Sequence, residues 1–429
     1  MNLLYLAHRF PCPPTKGDKI RAFRQLRHLA GRHRVWCACF VDDPADERHV
    51  ATLRTMCEQL VAVRLNRQQA LVRGLTGLLR GRSVTESFYH HPQMEAAIQR
   101  WSSEVKFDAV LAFSSSMAPY ALNVPAKRRV LDLCDLDSGK WADYALRTWT
   151  PVRFLYALES SRLAAREKQW MAAFDASVVI SDAEAAQVVE PELCARLVTI
   201  SNGMDLPPMQ TNVGRDNAVP IVGFVGVMNY FPNVDAVRWF VKHCWPLVRA
   251  RFPEAVFRIV GRSPTRAVRR LARCPGVDVA GEVADVTAEV RRFDVSVAPL
   301  RIARGLQNKV LEAMAAAKPV VLSDKAAQGI AARPGSEFLV ADTASAMADA
   351  IVSLLADAER RRQIGEAARR FVSVHHRWDV QLQRLEMLLF GILPHRTLRK
   401  EDVLSTRQMP SKRVAVQTAL PRSHARRAE

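Results

Sequence analysis

Three residues of different chemistry recur at helical spacing within Arg301–Val321, RIARGLQNKVLEAMAAAKPVV: Gly305, Lys309 and Glu312 follow one another at steps of four and three residues. The stretch predicts a loop ending at Gly305, a helix over Leu306–Ala317 closed by Lys318-Pro319, and a strand beginning at Val320–Leu322. A helix start carries unpaired N–H groups and a positive dipole end, so it suits an anion such as a diphosphate. Lys309 would add a full charge there. Glu312, one turn deeper, could accept two hydrogen bonds from a diol such as a ribose. A solvated Lys/Glu pair on an amphipathic helix has the same spacing, so the helix alone does not decide.

A second phosphate-type signal lies near the start. Strand Asn2–Ala7 runs into a loop with prolines and Gly17, and Asp18 can cap a helix to about Ala30 that carries Lys19 and Arg21. Asp18, Lys19 and Arg21 are therefore candidate cleft residues for an acceptor. Gly261-Arg262 follows the strand Ala255–Val260, where glycine permits close approach and Arg262 could reach a phosphate; a turn with an exposed Arg reads the same way. Asp135-x-Asp137 could hold a divalent ion through its oxygens, but alternate acids at a strand end more often form turns or caps. No metal site is expected, and Asp135→Ala is expected to do little.

The elements that position these residues alternate. Strands at Val35–Val41, Leu60–Leu65, Asp108–Phe113, Arg129–Leu133 and Ala176–Ile180 are interspersed with helices at Pro44–Gln59, Ala70–Leu79, Gln93–Val105 and Pro151–Phe174, with DLCDLDSGKWADYA left as a loop. Alternation with little hairpin signal predicts a doubly wound parallel sheet with ligands at the carboxyl ends of its strands. The pattern restarts at Ile221–Gly226 and continues to helices at Ala344–Leu355, Glu359–Val372 and Asp379–Phe390. The expected organisation is a first domain over 1–206, a linker over 207–219, a second domain over 220–374, a returning helix over 375–392 and a basic tail over 393–429. From His395 that tail has nine Lys or Arg against three acids.

Composition narrows the class. The chain has 429 residues, 49% of them hydrophobic, enough for two packed cores, and no run long enough to span a bilayer. Eight scattered cysteines without a CxxC signal neither a disulfide framework nor a zinc site. The expected setting is cytoplasmic, with attachment to the inner face of a membrane as an option. A formal charge of +19 implies an anionic partner: nucleic acid, an acidic lipid surface or a phosphorylated substrate. Nothing patterns as a helix-turn-helix or zinc module, so no specific nucleic-acid partner is expected. Trp141, Trp149, Tyr156 and Trp170 amid basic residues could face lipid or pack in the core.

GLQNKVLEAMAAAKPVV resembles the nucleotide-sugar-binding helix of GT-B glycosyltransferases of the glycogen-synthase-like group, family 4. GFVGVMNYFPNVDAVRWF is similar to the opening of their donor-binding domain, and SNGMD to their domain crossing. PPTKGDKIRAF, DLDSGKWADYA and ARGLQNKVLEAMA further resemble the sugar transferases associated with the PEP-CTERM/exosortase system of bacterial exopolysaccharide clusters. The resemblance implies a GT-B fold: two Rossmann-like parallel-sheet domains facing a cleft, with a C-terminal helix crossing back to the first. It implies a retaining hexosyl transfer from a nucleotide sugar without a metal or cofactor, and the basic first domain and tail would suit a lipid-linked saccharide acceptor at an anionic inner-membrane surface. Lys309 would contact the diphosphate and Glu312 the ribose as the catalytic pair. Gly17, Arg262, Val283, Arg304, Gly305, Leu306, Gln307 and Asn308 would line the donor site. Arg304 stands where many members have a sugar-contacting Glu. Two other classes compete: a nucleotide-sugar epimerase of the same fold, and non-enzymatic binding of nucleic acid or another polyanion.

Overall fold

The computed structural model describes residues 1–14, 17–148, 151–208, 219–303 and 305–392. Arg304, Trp149, most of the expected linker and the basic tail lie outside them.

The first half builds one seven-stranded sheet from β1 (Asn2–Ala7), β2 (Arg34–Val41), β3 (Gln59–Arg64), β4 (Phe107–Phe113), β5 (Ala126–Cys134), β6 (Ala176–Val179) and β7 (Leu197–Thr199). Its order is β3-β2-β1-β4-β5-β6-β7, and every pairing is parallel. Continuous apolar runs such as Leu3–Ala7, closed to water on both faces, are what parallel strands covered by helices require. The second sheet holds β8 (Ile221–Val225), β9 (Val256–Val260), β10 (Val277–Gly281), β11 (Val295–Ala298), β12 (Val320–Leu322) and β13 (Leu339–Val340), in the order β10-β9-β8-β11-β12-β13. Strand order reverses between β1 and β4 and again between β8 and β11. Such switch points open crevices at the carboxyl ends of strands.

Six helices matter for the site: α1 (Gly17–Ala30), α2 (Asp137–Arg147), α3 (Val152–Ala173), α4 (Phe231–Trp239), α5 (Asn308–Ala315) and α6 (Trp378–Leu389). The two sheets meet through their carboxyl ends, where Ile180, just past β6, joins the core of the second domain. The last helix crosses back, with Leu385, Leu388 and Leu389 of α6 buried in the first domain. Glu386 accepts from His28 and His33 at 2.8 Å each, and Arg128 Nε donates to the Leu388 carbonyl at 2.7 Å.

Several expectations change. Pro44–Gln59 is a 3-10 turn at Pro44–His49 and a short helix at Val50–Arg54, because Asp43 caps Ala45 and Gln59 already belongs to β3. The segment left as a loop after β5 becomes α2 from Asp137. Glu167 of α3 receives the Ser138 N–H at 3.2 Å and its hydroxyl at 2.5 Å, which anchors the first turn of α2. Burial pushes the Glu167 carboxyl up to about 7, against the lowering effect of those hydrogen bonds. Trp170 is a core residue, and Trp141, Tyr144 and Tyr156 pack together edge-on and tilted with centroids 5.4–6.0 Å apart.

Lys19 and Arg21 require a correction as well. The sequence places both in the cleft, and both are buried in ion pairs: Lys19 Nζ lies 2.5 Å from Asp46, and Arg21 Nε lies 2.9 Å from Asp132. Asp132 is fully enclosed, accepting also from Gln25 at 2.6 Å and the Cys134 N–H at 3.1 Å. Removing one member of a buried pair strands the other charge and typically costs about 3–5 kcal/mol. Asp132→Ala should lower folding stability by about that amount in urea titrations; a loss under ~1 kcal/mol would show the pair to be dispensable.

Candidate active site

The start of α5 is assembled by contributions from both domains. Gly305 turns the chain at φ 58°, a left-handed conformation that suits glycine, and Gln307 precedes the helix without a side-chain cap. The apolar residues Val310, Leu311, Ala313 and Met314 are buried against the second sheet, which leaves Lys309 and Glu312 on the remaining face. Leu306 also puts its side chain into that core, so only its backbone is available to a ligand. At the other end Ala317 adopts φ 56° and closes the helix ahead of β12.

Lys309 is half-buried, donates to Asn233 Oδ1 of α4 at 2.5 Å, and lies 4.9 Å from the centroid of the Phe224 ring. Asn233 in turn donates to the Val227 carbonyl at 3.0 Å, so the YFPN turn clamps the loop after β8 onto Lys309. Burial lowers Lys309 to about 8, and the neighbouring Glu312 opposes that effect. Burial raises Glu312 to about 7, and Lys309 pulls it down. No described residue hydrogen-bonds the Glu312 carboxylate. Two ionisable groups are thus held in poorly solvated positions with neutral or incomplete partners, an arrangement typical of sites that await a ligand.

The first domain reaches this helix at two points. A Cβ on Gly17 would come 3.1 Å from Asn308 Nδ2, so a larger residue there would press on the helix start. Asn308 Oδ1 accepts from Asn202 Nδ2 at 3.0 Å, and Asn202 Oδ1 accepts from Arg21 at 3.1 Å. A Cβ on Gly305 would lie 2.2 Å from Asp135 Oδ1, which places the end of β5 directly against the turn before α5. Burial and the carboxylates of Glu184 and Asp137 raise Asp135 to about 7, with Arg21 and Lys140 acting the other way. Among the described residues no group of three His, Cys, Asp or Glu side chains is placed to hold a metal ion.

The other sequence candidates have these placements. Asp18 pairs with Arg9 at 2.7 Å and stays partly open beside His8 at 3.8 Å. Arg262 follows β9 next to Gly261, whose Cβ would come 1.7 Å from the Gly226 carbonyl; the Arg262 guanidinium has no ion-pair partner among the described residues. Val283 follows β10, half-buried against the core of its domain. Gln307 Nε2 lies 3.4 Å from the Gly305 carbonyl. Arg304 lies outside the described residues. Sequence reasoning missed Asn202, Asn233 and the orientation of Asp135. The SNGMD and NYFPN matches contained the first two without assigning them a contact.

Comparison of the whole chain with solved structures identifies the architecture. Sucrose-phosphate synthase from Thermosynechococcus elongatus superposes with a TM-score of 0.65 at 17% identity, covering 91% of this chain and 99% of that one. Anabaena Alr3699/HepE in complex with UDP superposes with a TM-score of 0.61 at 14% identity, covering 91% and 100%. The fold is GT-B. Within it, residues 219–357 match the family described as Glycosyl transferases group 1. A 161-residue stretch is 32% identical to the GDP-mannose-dependent alpha-(1-6)-phosphatidylinositol monomannoside mannosyltransferase of Mycobacterium tuberculosis. That match covers 34% of this chain and 42% of the relative, so the chain spans about two fifths of the length of the curated relatives it matches. In the GT-B frame, α5 belongs to the second domain and faces the carboxyl ends of β1 and β5 across the cleft.

The depressed basicity of Lys309 can be read directly. After reductive methylation with 13C-formaldehyde, one lysine resonance should titrate near 8, well below the ~10.4 of free lysine, and should vanish in Lys309→Met. If every methyl-lysine titrates above about 10, Lys309 is not desolvated as described.

Proposed function

We propose that this protein transfers a sugar from a nucleotide-sugar donor to a saccharide hydroxyl, with the donor diphosphate seated on the start of α5. The observation that carries the reading is the approach of Gly17, at the head of α1, to the uncapped start of α5, which also carries Lys309, whose hydrogen-bond partner Asn233 is neutral. Lys309, the free guanidinium of Arg262 and the helix amides stabilise negative charge as it builds on the leaving diphosphate, and their worth is greatest in the transition state. Glu312 accepts the two ribose hydroxyls. The mycobacterial relative is named for its GDP-mannose dependence and HepE has been solved with UDP, which supports a nucleotide-sugar partner here.

In its finer form the reading is a retaining hexosyl transfer that needs neither metal nor organic cofactor. The bond from the sugar C1 to the diphosphate oxygen breaks, the bond from C1 to the acceptor oxygen forms on the same face, and the acceptor proton passes to the leaving phosphate. The acceptor is a lipid-linked saccharide at an anionic inner-membrane surface, in exopolysaccharide synthesis of the PEP-CTERM type. Support for the membrane setting is the net charge of +19, which favours an anionic lipid face. No helix among the described residues is long and apolar enough to cross a membrane.

Lys309→Ala should reduce turnover of donor and acceptor by about 10²–10³-fold with the melting transition preserved. Parental activity in that variant would remove α5 from the mechanism. Incubation with donor alone separates transfer from epimerisation, because an epimerase changes the sugar without an acceptor.

The pH dependence of nucleoside-diphosphate affinity has a defined sign. Lys309 is charged below about 8, so affinity falls as pH rises through that value. Glu312 is ionised above about 7, so affinity also falls as pH drops through it. Calorimetric titration should give a maximum between the two, and Lys309→Met should abolish the alkaline flank. A flat profile in the parent would contradict both assignments.

A further inference from the structure

One carboxyl in the cleft is left without work by the reading above. Asp135 Oδ1 is closed to solvent and accepts no hydrogen bond from any described residue. It sits against the Gly305 turn, beside the start of α5 on which the reading above seats the donor diphosphate. An enclosed acceptor without a partner costs roughly 1–3 kcal/mol, which a native site recovers when a ligand supplies the missing hydrogen.

The surroundings define what kind of hydrogen that is. Asp135 lies close enough to Glu184 and Asp137 for both carboxylates to act on it, and Arg21 and Lys140 only partly offset them. The local potential is therefore negative, and a phosphate oxygen would be repelled. Tyr230, half exposed on the second domain just ahead of α4, is influenced by both Asp135 and Tyr144 of α2. An enclosed carboxyl in a negative surround, beside but not within the cationic part of a cleft, suits a neutral polyhydroxylated ring.

The backbone explains why Asp135 points there. The pairing of β5 with β6 slips between Asp132 and Cys134, and Cys134 adopts φ 62°. A bulge of this kind re-aims the residue that follows. Asp132 thereby stays under the sheet with Arg21, while Asp135 swings across to the second domain.

We propose that Asp135 binds a hydroxyl of the donor's sugar ring, reading the sugar from the first domain while Lys309 and Glu312 hold the nucleotide from the second. The assignment rests on the donor-site reading above, and its test keeps the two apart. UDP, GDP and their hexose conjugates are titrated calorimetrically into the full chain and into Asp135→Asn. The ratio of nucleoside-diphosphate Kd to nucleotide-sugar Kd measures what the sugar contributes, and contacts to the nucleotide cancel from it. The parent should show a ratio well above one for its true donor. Asp135→Asn should lower it about tenfold and leave the Kd of the nucleoside diphosphate within about twofold, which also reports that the cleft is intact. Asp137→Asn, whose partner is the Ser115 hydroxyl at 2.9 Å, should keep the parental ratio. An unchanged ratio in Asp135→Asn and Asp135→Ala overturns the assignment while the donor site stands. Equal loss of nucleoside-diphosphate and nucleotide-sugar affinity also overturns it, because the role is then structural. If no nucleoside diphosphate binds the parent, the donor-site reading falls and takes this assignment with it.

Discussion

The geometry of the cleft depends on the enclosed pair between Asp132 and Arg21. Bringing two charges out of water costs several kcal/mol per ion, and that cost is offset only where every lone pair and proton finds a partner. Asp132 meets this condition with donors from Arg21, Gln25 and the Cys134 amide. Arg21 then spends another donor on Asn202, and Asn202 on Asn308 at the head of α5. One charge pair at the end of β5 thus fixes α1, the crossing segment and α5 relative to one another. The crossing segments reinforce it: Met204 N–H donates to the His376 carbonyl at 2.5 Å, and His376 Nδ1 lies 3.1 Å from the Asn202 carbonyl.

Charges divide into two groups by how well they are satisfied. In the first domain buried acids hold helix starts: Glu159 accepts from the Ser83 hydroxyl and from the Val84 and Thr85 amides at 2.6–2.9 Å, and Glu184 accepts from the Leu136 amide at 3.0 Å. Carboxylates at helix starts complement orphan N–H groups and the dipole, so these acids serve the fold. Glu386 belongs with them: burial would raise its pKa, and the hydrogen bonds from His28 and His33 outweigh burial and hold it low. Lys309, Glu312 and Asp135 behave differently. Each is displaced toward neutrality by burial, and none has a charged partner close enough to restore it. The satisfied carboxylates build the scaffold, and Asp135 lies where its halves meet.

Periodicity made most of the scaffold legible. Val320–Leu322 is a strand at the residues the apolar run predicts, and the β-α alternation suffices for two parallel sheets. What escaped were features decided by distant partners. Nothing local in DLDSGKWADYA marks a helix, since its first turn is secured by Glu167 from α3. Lys19 and Arg21 look like surface cations on a basic helix, and only the positions of Asp46 and Asp132 reveal them as buried. At the site, helical spacing was enough to bring Lys309 and Glu312 to one face. Asn233 could not be found that way, because its role depends on how α4 docks against α5.

The end of β5 shows why sequence stops short of function here. Asp132, Asp135 and Asp137 fall within six residues and share one charge, and the sequence places the first in a strand and reads the other two as a turn or an ion site. Strand alternation would put Asp132 and Asp135 on opposite faces, and the bulge at Cys134 turns that difference into a division between domains. Asp132 meets Arg21 and becomes an anchor. Asp137 enters the first turn of α2, where a carboxylate is favoured by the helix dipole, and accepts from Ser115. Asp135, between them, lies against the Gly305 turn, and its Oδ1 accepts no hydrogen bond from any described residue. The same side chain three times over therefore serves packing, helix initiation and the cleft. What separates the roles is the number of donors that the fold brings within reach of each oxygen, a quantity set by tertiary structure and absent from any local reading of the chain.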